Sequence, residues 1–203
     1  MSPWRMMQEW GIPTFYLQCL AYECAQKLAT RGEWVPDLAM AGGFSTEDHI
    51  FKVLAMGAPY FRAVCMGRAL MIPGFVGDNI QSVLHKGNGK SKGAFVSQWS
   101  ELPVTVSAYG NKPEQIFATY ETLVKRLGRE ETEKLPLGAI AMFTYVDKLR
   151  TVLTQLMAGA RSFRLDTLKR ADLISLTEEA AKVSGIPYVM EAGMEAAEKI
   201  LDS

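Results

Sequence analysis

Cysteine and histidine are scarce in this chain: three cysteines and two histidines among 203 residues. Cys19 and Cys24 lack the close spacing of a zinc knuckle, and His49 and His85 stand alone. The odd thiol count predicts reduced, mostly buried cysteines in a cytoplasmic protein rather than a disulfide framework. Net charge is missing as well, with 22 basic residues against 22 acidic ones. A balanced chain is a poor match for nucleic acid or an anionic membrane as main partner. No secretory leader is expected from MSPWRMMQEW, which has a proline at position 3 and no continuous apolar core. The longest uncharged apolar stretch, Leu135 to Val146, is too short to span a bilayer, and Asp147, Lys148 and Arg150 follow it.

What the chain does have is apolar mass. Hydrophobic residues make up 48%, which places it among globular proteins. Ser2-Pro3 reads as a helix start, with Trp4, Met7 and Trp10 on one face and Gly11 at its end. Ile12 to Leu17 predicts a short strand or extended entry, and Leu20 to Thr30 a helix closed by Gly32. Val35 to Ala41 predicts a buried parallel strand. Ser45 or Thr46 would cap a helix with Glu47 and Asp48 in its first turn and Ile50, Val53 and Leu54 as its apolar stripe. Gly57 closes that helix, and Tyr60 to Met66 predicts the next strand.

Beyond Met71 the pattern changes. Pro73-Gly74 predicts a turn and Val76 to Leu84 a helix. Lys86 to Gly93 predicts a polar linker. Pro113 to Leu127, Pro136 to Gly159, a segment from Asp166 or Thr167 to Gly185, and Met190 to Leu201 all predict helices. The 11 methionines read as core filler, and Trp34 and Trp99 as packing anchors.

Two glycine-bearing runs carry the chemistry. AGGFST (Ala41 to Thr46) and MGRALM (Met66 to Met71) each follow an apolar strand and open into a helix. Gly43 and Gly67 lie 24 residues apart, room for one strand–helix–strand unit. Bare backbone N–H groups at successive strand ends suit a phosphate, as in the loops after the last two strands of (β/α)8 barrels. Arg68 adds a permanently charged planar fork. The candidate cofactor-binding residues are therefore Ala41, Gly42, Gly43, Met66, Gly67 and Arg68. A tight turn at Gly42-Gly43 and a surface ion pair for Arg68 explain either run alone. Both together, in order, favour phosphate binding.

Ser2 to Gly74, from SPWRMMQEWGIPT to the second glycine run, resembles the end of the FMN-binding barrel of glutamate synthase and its stand-alone relatives. The glycine runs match that family's FMN-phosphate loops. Lys148 to Leu173, ending in Arg170-Ala171-Asp172-Leu173, resembles the helical segment that follows the barrel. The resemblance implies a glutamate synthase-like oxidoreductase with FMN as cofactor. It would form glutamate from 2-oxoglutarate and ammonia, the ammonia free or drawn from glutamine. In the family, the flavin-ring contacts, the 2-oxoglutarate site and the acid–base groups lie upstream of the matching stretch. The chain is thus expected to be incomplete alone, with a possible partner chain supplying the first half of the barrel. Gly74 to Gly110 holds no cysteine, so the family's iron–sulfur cluster does not carry over.

The expected fold is α/β: the C-terminal part of a TIM (β/α)8 barrel, its last two or three βα units, followed by a mostly helical extension. The expected division is 1–85 for the barrel part, 86–112 for a linker and 113–203 for the extension. A different phosphate-handling barrel, such as an IMP dehydrogenase-like or isomerase-like flavoprotein, shares the glycine loops but leaves Lys148 to Leu173 unexplained. A non-enzymatic helical interaction module is the third reading.

Overall fold

The computed structural model describes residues 11–84, 96 and 98–202. The helix expected from Ser2 and the linker from Lys86 to Gly93 lie outside them. The described chain is mostly helical, and its two short strands form one two-stranded parallel sheet. That overturns the expected barrel end, for this is not a piece of a (β/α)8 barrel. Contacts divide the chain into two compact units, Met1–Cys65 with Leu153–Ser203, and Met66–Val152.

The first unit opens with helix α1 (Thr14–Thr30), which takes in most of the segment expected to be a strand. Pro13, at φ −54°, stands at its N-cap position, where a fixed φ and a missing N–H suit a helix start. The helix ends where expected, with Gly32 at φ +72° just beyond. Strand β1 (Leu38–Ala41) begins later than the apolar run because Pro36 precedes it. Helix α2 (Glu47–Gly57) follows, then β2 (Phe61–Cys65), in register with β1 at Met40–Val64 and Ala41–Cys65.

One face of this sheet is packed and the other is not. Met40 and Phe61 are buried with Val53 of α2. Ala39, Ala41, Ala63 and Cys65 are exposed. The expectation that both faces would be covered is therefore not met, and of the three thiols only Cys19 is buried. Gly57 admits Phe61: a Cβ on Gly57 would lie within 2.6 Å of the Phe61 ring. Gln18 of α1, almost fully enclosed, donates from Nε2 to Val53 O at 2.7 Å.

The later chain completes this unit. Met157 and Leu168 close over Phe51, Leu54 and Ala55 of α2. The continuous helix expected from Asp166 to Gly185 is replaced by two 3-10 turns (Leu165–Thr167 and Arg170–Asp172) and a short helix, Glu178–Ser184. Arg170 is the reason for the break. Its guanidinium donates to Met56 O at 2.6 Å and to Ser184 O, and lies 4.1 Å from the centre of the Tyr22 ring. A continuous helix could not deliver that side chain to two helix C-termini. Gly185 (φ +67°) ends the short helix, and Val189–Leu201 forms the last one.

In the second unit, helix α3 (Arg68–Leu84) runs through Pro73-Gly74, where a turn was expected. The long helix α4 (Leu137–Gly159) belongs to this unit as far as Val152. Gly74 lies by Met142 of α4, and Gly77 by Gly138, so the two helices run antiparallel. Their approach is close: a Cβ on Gly77 would fall within 2.6 Å of Gly138 Cα and N, and nearer still to Leu137 O. Gln81 Oε1 accepts from Leu137 N at 3.1 Å and caps α4. Between these helices in sequence, the expected Pro113 to Leu127 helix is split into Pro113–Ile116 and Tyr120–Leu127. The break turns both Phe117 and Tyr120 into the core formed with Ile80, Leu123 and Ile140.

Two substitutions test these close contacts. Gly77→Ala should destabilise the chain by about 1–2 kcal/mol, because overpacking outweighs the gain of roughly 1 kcal/mol in helix propensity. Arg170→Ala should cost about 2–3 kcal/mol, with Arg170→Lys recovering less than half, since an ammonium lacks the planar fork. Urea denaturation measures both; neutral outcomes would show that the contacts carry no stability.

Candidate functional site

The carboxyl ends of the two strands lie side by side, because Ala41 and Cys65 are register partners. From Ala41 the chain enters Gly42 at φ +142° and Gly43 at φ +81°. Both dihedrals favour glycine, but the surroundings of the two residues differ. At Gly42, Thr14 fills the space a Cβ would need, its own Cβ and Cγ2 only 3.3 Å from that position. Thr14 Oγ1 also donates to Gly42 O at 3.0 Å. Gly42 is therefore fixed by packing against the start of α1. At Gly43 a Cβ would meet nothing within 4 Å. Gly43 is exposed, and its backbone can be approached closely from solvent.

The loop then folds back onto α2. Ser45 N donates to His49 Nδ1 at 3.3 Å, so this amide is engaged inside the loop. An imidazole accepting at Nδ1 carries its proton on Nε2. The Phe44 and His49 rings stand edge to face, with centroids 6.3 Å apart. Thr46 holds the N-cap position, but its hydroxyl goes to Asp48 Oδ1 at 2.5 Å instead of to a backbone amide. Lys52 Nζ donates to Asp48 Oδ2 at 2.7 Å. These two donors, Lys52 first, hold the Asp48 carboxyl well below the usual carboxylate range. Glu47 and Asp48 thus place negative charge in the first turn of α2, where the helix dipole favours it.

The six residues singled out from the sequence fall into two groups. Ala41, Gly42 and Gly43 are exposed at the end of β1 in the first unit. Met66, Gly67 and Arg68 follow β2 in the chain and belong to the second unit, with Arg68 the first residue of α3. A Cβ on Gly67 would meet nothing within 4 Å, so packing does not require glycine there. The sequence reading missed Thr14 and His49 as shapers of the loop. A signal for Thr14 existed in Gly11-Ile12-Pro13-Thr14, already noted in the family resemblance; nothing in the sequence pointed to the His49 contact.

Chemically, the first-unit loop offers open backbone donors and an imidazole N–H. Among the described residues no cluster of three or more His, Cys, Asp or Glu side chains could hold a metal ion. Among them, too, no helix is long and apolar enough to cross a membrane. Comparison with family models, with curated proteins and with solved structures finds no match to this chain.

The Asp48 contacts carry a pH dependence. Because its folded pKa is depressed, the carboxylate stabilises the protein above the ordinary unfolded value, about 3.9, and this contribution fades as pH falls below it. Asp48→Asn should lower the melting temperature at pH 7, and the difference from wild type should shrink steadily as pH drops from 5 towards 3. A pH-independent difference would exclude charge as the source.

Proposed function

We propose that this chain binds the phosphate end of FMN as part of a glutamate synthase-like oxidoreductase of the cytoplasm. A partner chain completes it with the flavin-ring contacts and the sites for 2-oxoglutarate and for ammonia or glutamine. The main support is the pairing of Ala41 with Cys65, which makes β1 and β2 end together just before the two glycine-bearing segments. Ligands of open parallel sheets gather outside the carboxyl ends of the strands. In the first unit the Gly43 backbone amide, and in the second the Gly67 amide and the Arg68 guanidinium, are the groups suited to a phosphate dianion. The open space at both glycines fits a ligand that approaches the backbone closely. The Ser45 amide, already given to His49, is not part of this set.

FMN would supply hydride transfer; the residues of this chain bind and orient. A non-catalytic interaction module is the second reading, favoured by the uncovered sheet face of Ala39, Ala41, Ala63 and Cys65. Flavin titration followed by fluorescence separates the two. The proposal expects FMN to bind and riboflavin, which lacks the phosphate, to bind far more weakly, with inorganic phosphate competing. Arg68→Ala should weaken FMN by about 1.5–3 kcal/mol, the range for a hydrogen bond to a charged group. Equal affinity for FMN and riboflavin would favour the second reading, and an unchanged Arg68→Ala variant would remove Arg68 from the site.

A further inference from the structure

The second unit contains a large apolar cleft that the phosphate proposal does not use. It measures about 640 Å³, and its walls include Ile72, Val76 and Ile80 of α3 together with Val106 and Phe117. Ala141, Thr144, Tyr145, Lys148 and Thr151 line it from α4. Those positions recur at helical spacing, so the cleft follows one face of α4 for about ten residues, roughly 15 Å. Ile80, Phe117 and Ala141 are also members of the unit's buried core. The cleft is therefore an opening into the hydrophobic core itself, within the size range of small-molecule sites.

Two hydroxyls give it a chemical preference. Thr144 Oγ1 donates to Ile140 O at 2.8 Å, which uses its one proton. The 2.7 Å contact between Thr119 Oγ1 and Thr144 Oγ1 is then a bond donated by Thr119. With both protons committed, the two oxygens can offer only acceptor capacity to anything entering the cleft. Asp147 and Lys148, which also line the cleft, bring one acceptor and one donor of opposite charge. At this pair of hydroxyls the wall favours an apolar molecule that places an O–H or N–H donor against it. Thr119 is buried, so a ligand without a donor would leave its oxygen shielded from water and unmatched.

We propose that this cleft is a binding site for an apolar, ring-sized small molecule that carries a hydrogen-bond donor, of the phenol or indole class. The test titrates the full-length, 15N-labelled chain with 2-naphthol and with 2-methoxynaphthalene, which has the same ring system but no donor. The site predicts saturable 2-naphthol binding that shifts the amides of Thr119, Ala141 and Thr144, about fivefold tighter than the ether. Val76→Trp, at a partly exposed wall position, should abolish binding of both while the spectrum keeps its dispersion. The double variant Thr119→Val/Thr144→Val should leave the ether's affinity unchanged and erase the preference for the naphthol. The proposal is overturned if neither probe saturates, if Val76→Trp is indifferent, or if the preference survives the double Thr119→Val/Thr144→Val variant.

Discussion

The first unit is organised around one guanidinium. Arg170 joins the C-terminal carbonyls of two helices, Met56 O near the end of α2 and Ser184 O at the end of Glu178–Ser184, and covers the Tyr22 ring of α1. Each helix end presents carbonyls without intrahelical partners, carrying partial negative charge. A permanently charged, planar donor with N–H groups on two nitrogens satisfies two such ends at once and complements their partial negative charge. The segment around Arg170 accordingly forgoes regular helix and takes up short 3-10 turns. The same charge reaches Cys19, where it partly offsets the burial that pushes this thiol up. Elements from both ends of the chain are thus held to α2, the helix that covers the sheet.

Glycine does two different jobs in this chain. At Gly57, Gly77 and Gly138 a side chain would collide with Phe61 or with the facing helix, so the residue records packing. At Gly43 and Gly67 the surrounding space is open. Gly42 belongs with the first group because Thr14 occupies its free side. Of the Gly-Gly pair, then, only the second residue has a backbone that lies open. The sequence alone treats the two alike, since the Thr14 contact joins residues 28 apart.

The strands, α2 and the long helix α4 were legible because their apolar runs and end signals agree with where they pack; the last helix was legible from its sequence pattern although it buries none of its residues. Val53 and Leu54 are buried as the 3.6-residue period requires. The failures share a cause: a local signal lost to a contact distant in sequence. Ile12 to Leu17 looks extended, yet it lies mostly in α1, whose Gln18 reaches Val53. Pro73-Gly74 looks like a turn, yet the glycine face of α3 is needed against α4 and the helix continues through it. The barrel expectation failed on what surrounds β1 and β2. Two parallel strands with a helix between them are common to many α/β folds, and their pattern says nothing about how many further strands adjoin them.

Charge at the start of α2 sets the terms for any anion near the glycine loop. Asp48 is neutralised by Lys52 and tied to Thr46, so its charge is largely spent within the helix turn. The helix N-terminus is already served by its own carboxylates, and a phosphate gains little from that dipole. A phosphate at the end of β1 would therefore be held by backbone N–H groups of the glycine loop, not by the start of α2. This distinguishes the site from glycine-rich loops in which the helix N-terminus points at the phosphate.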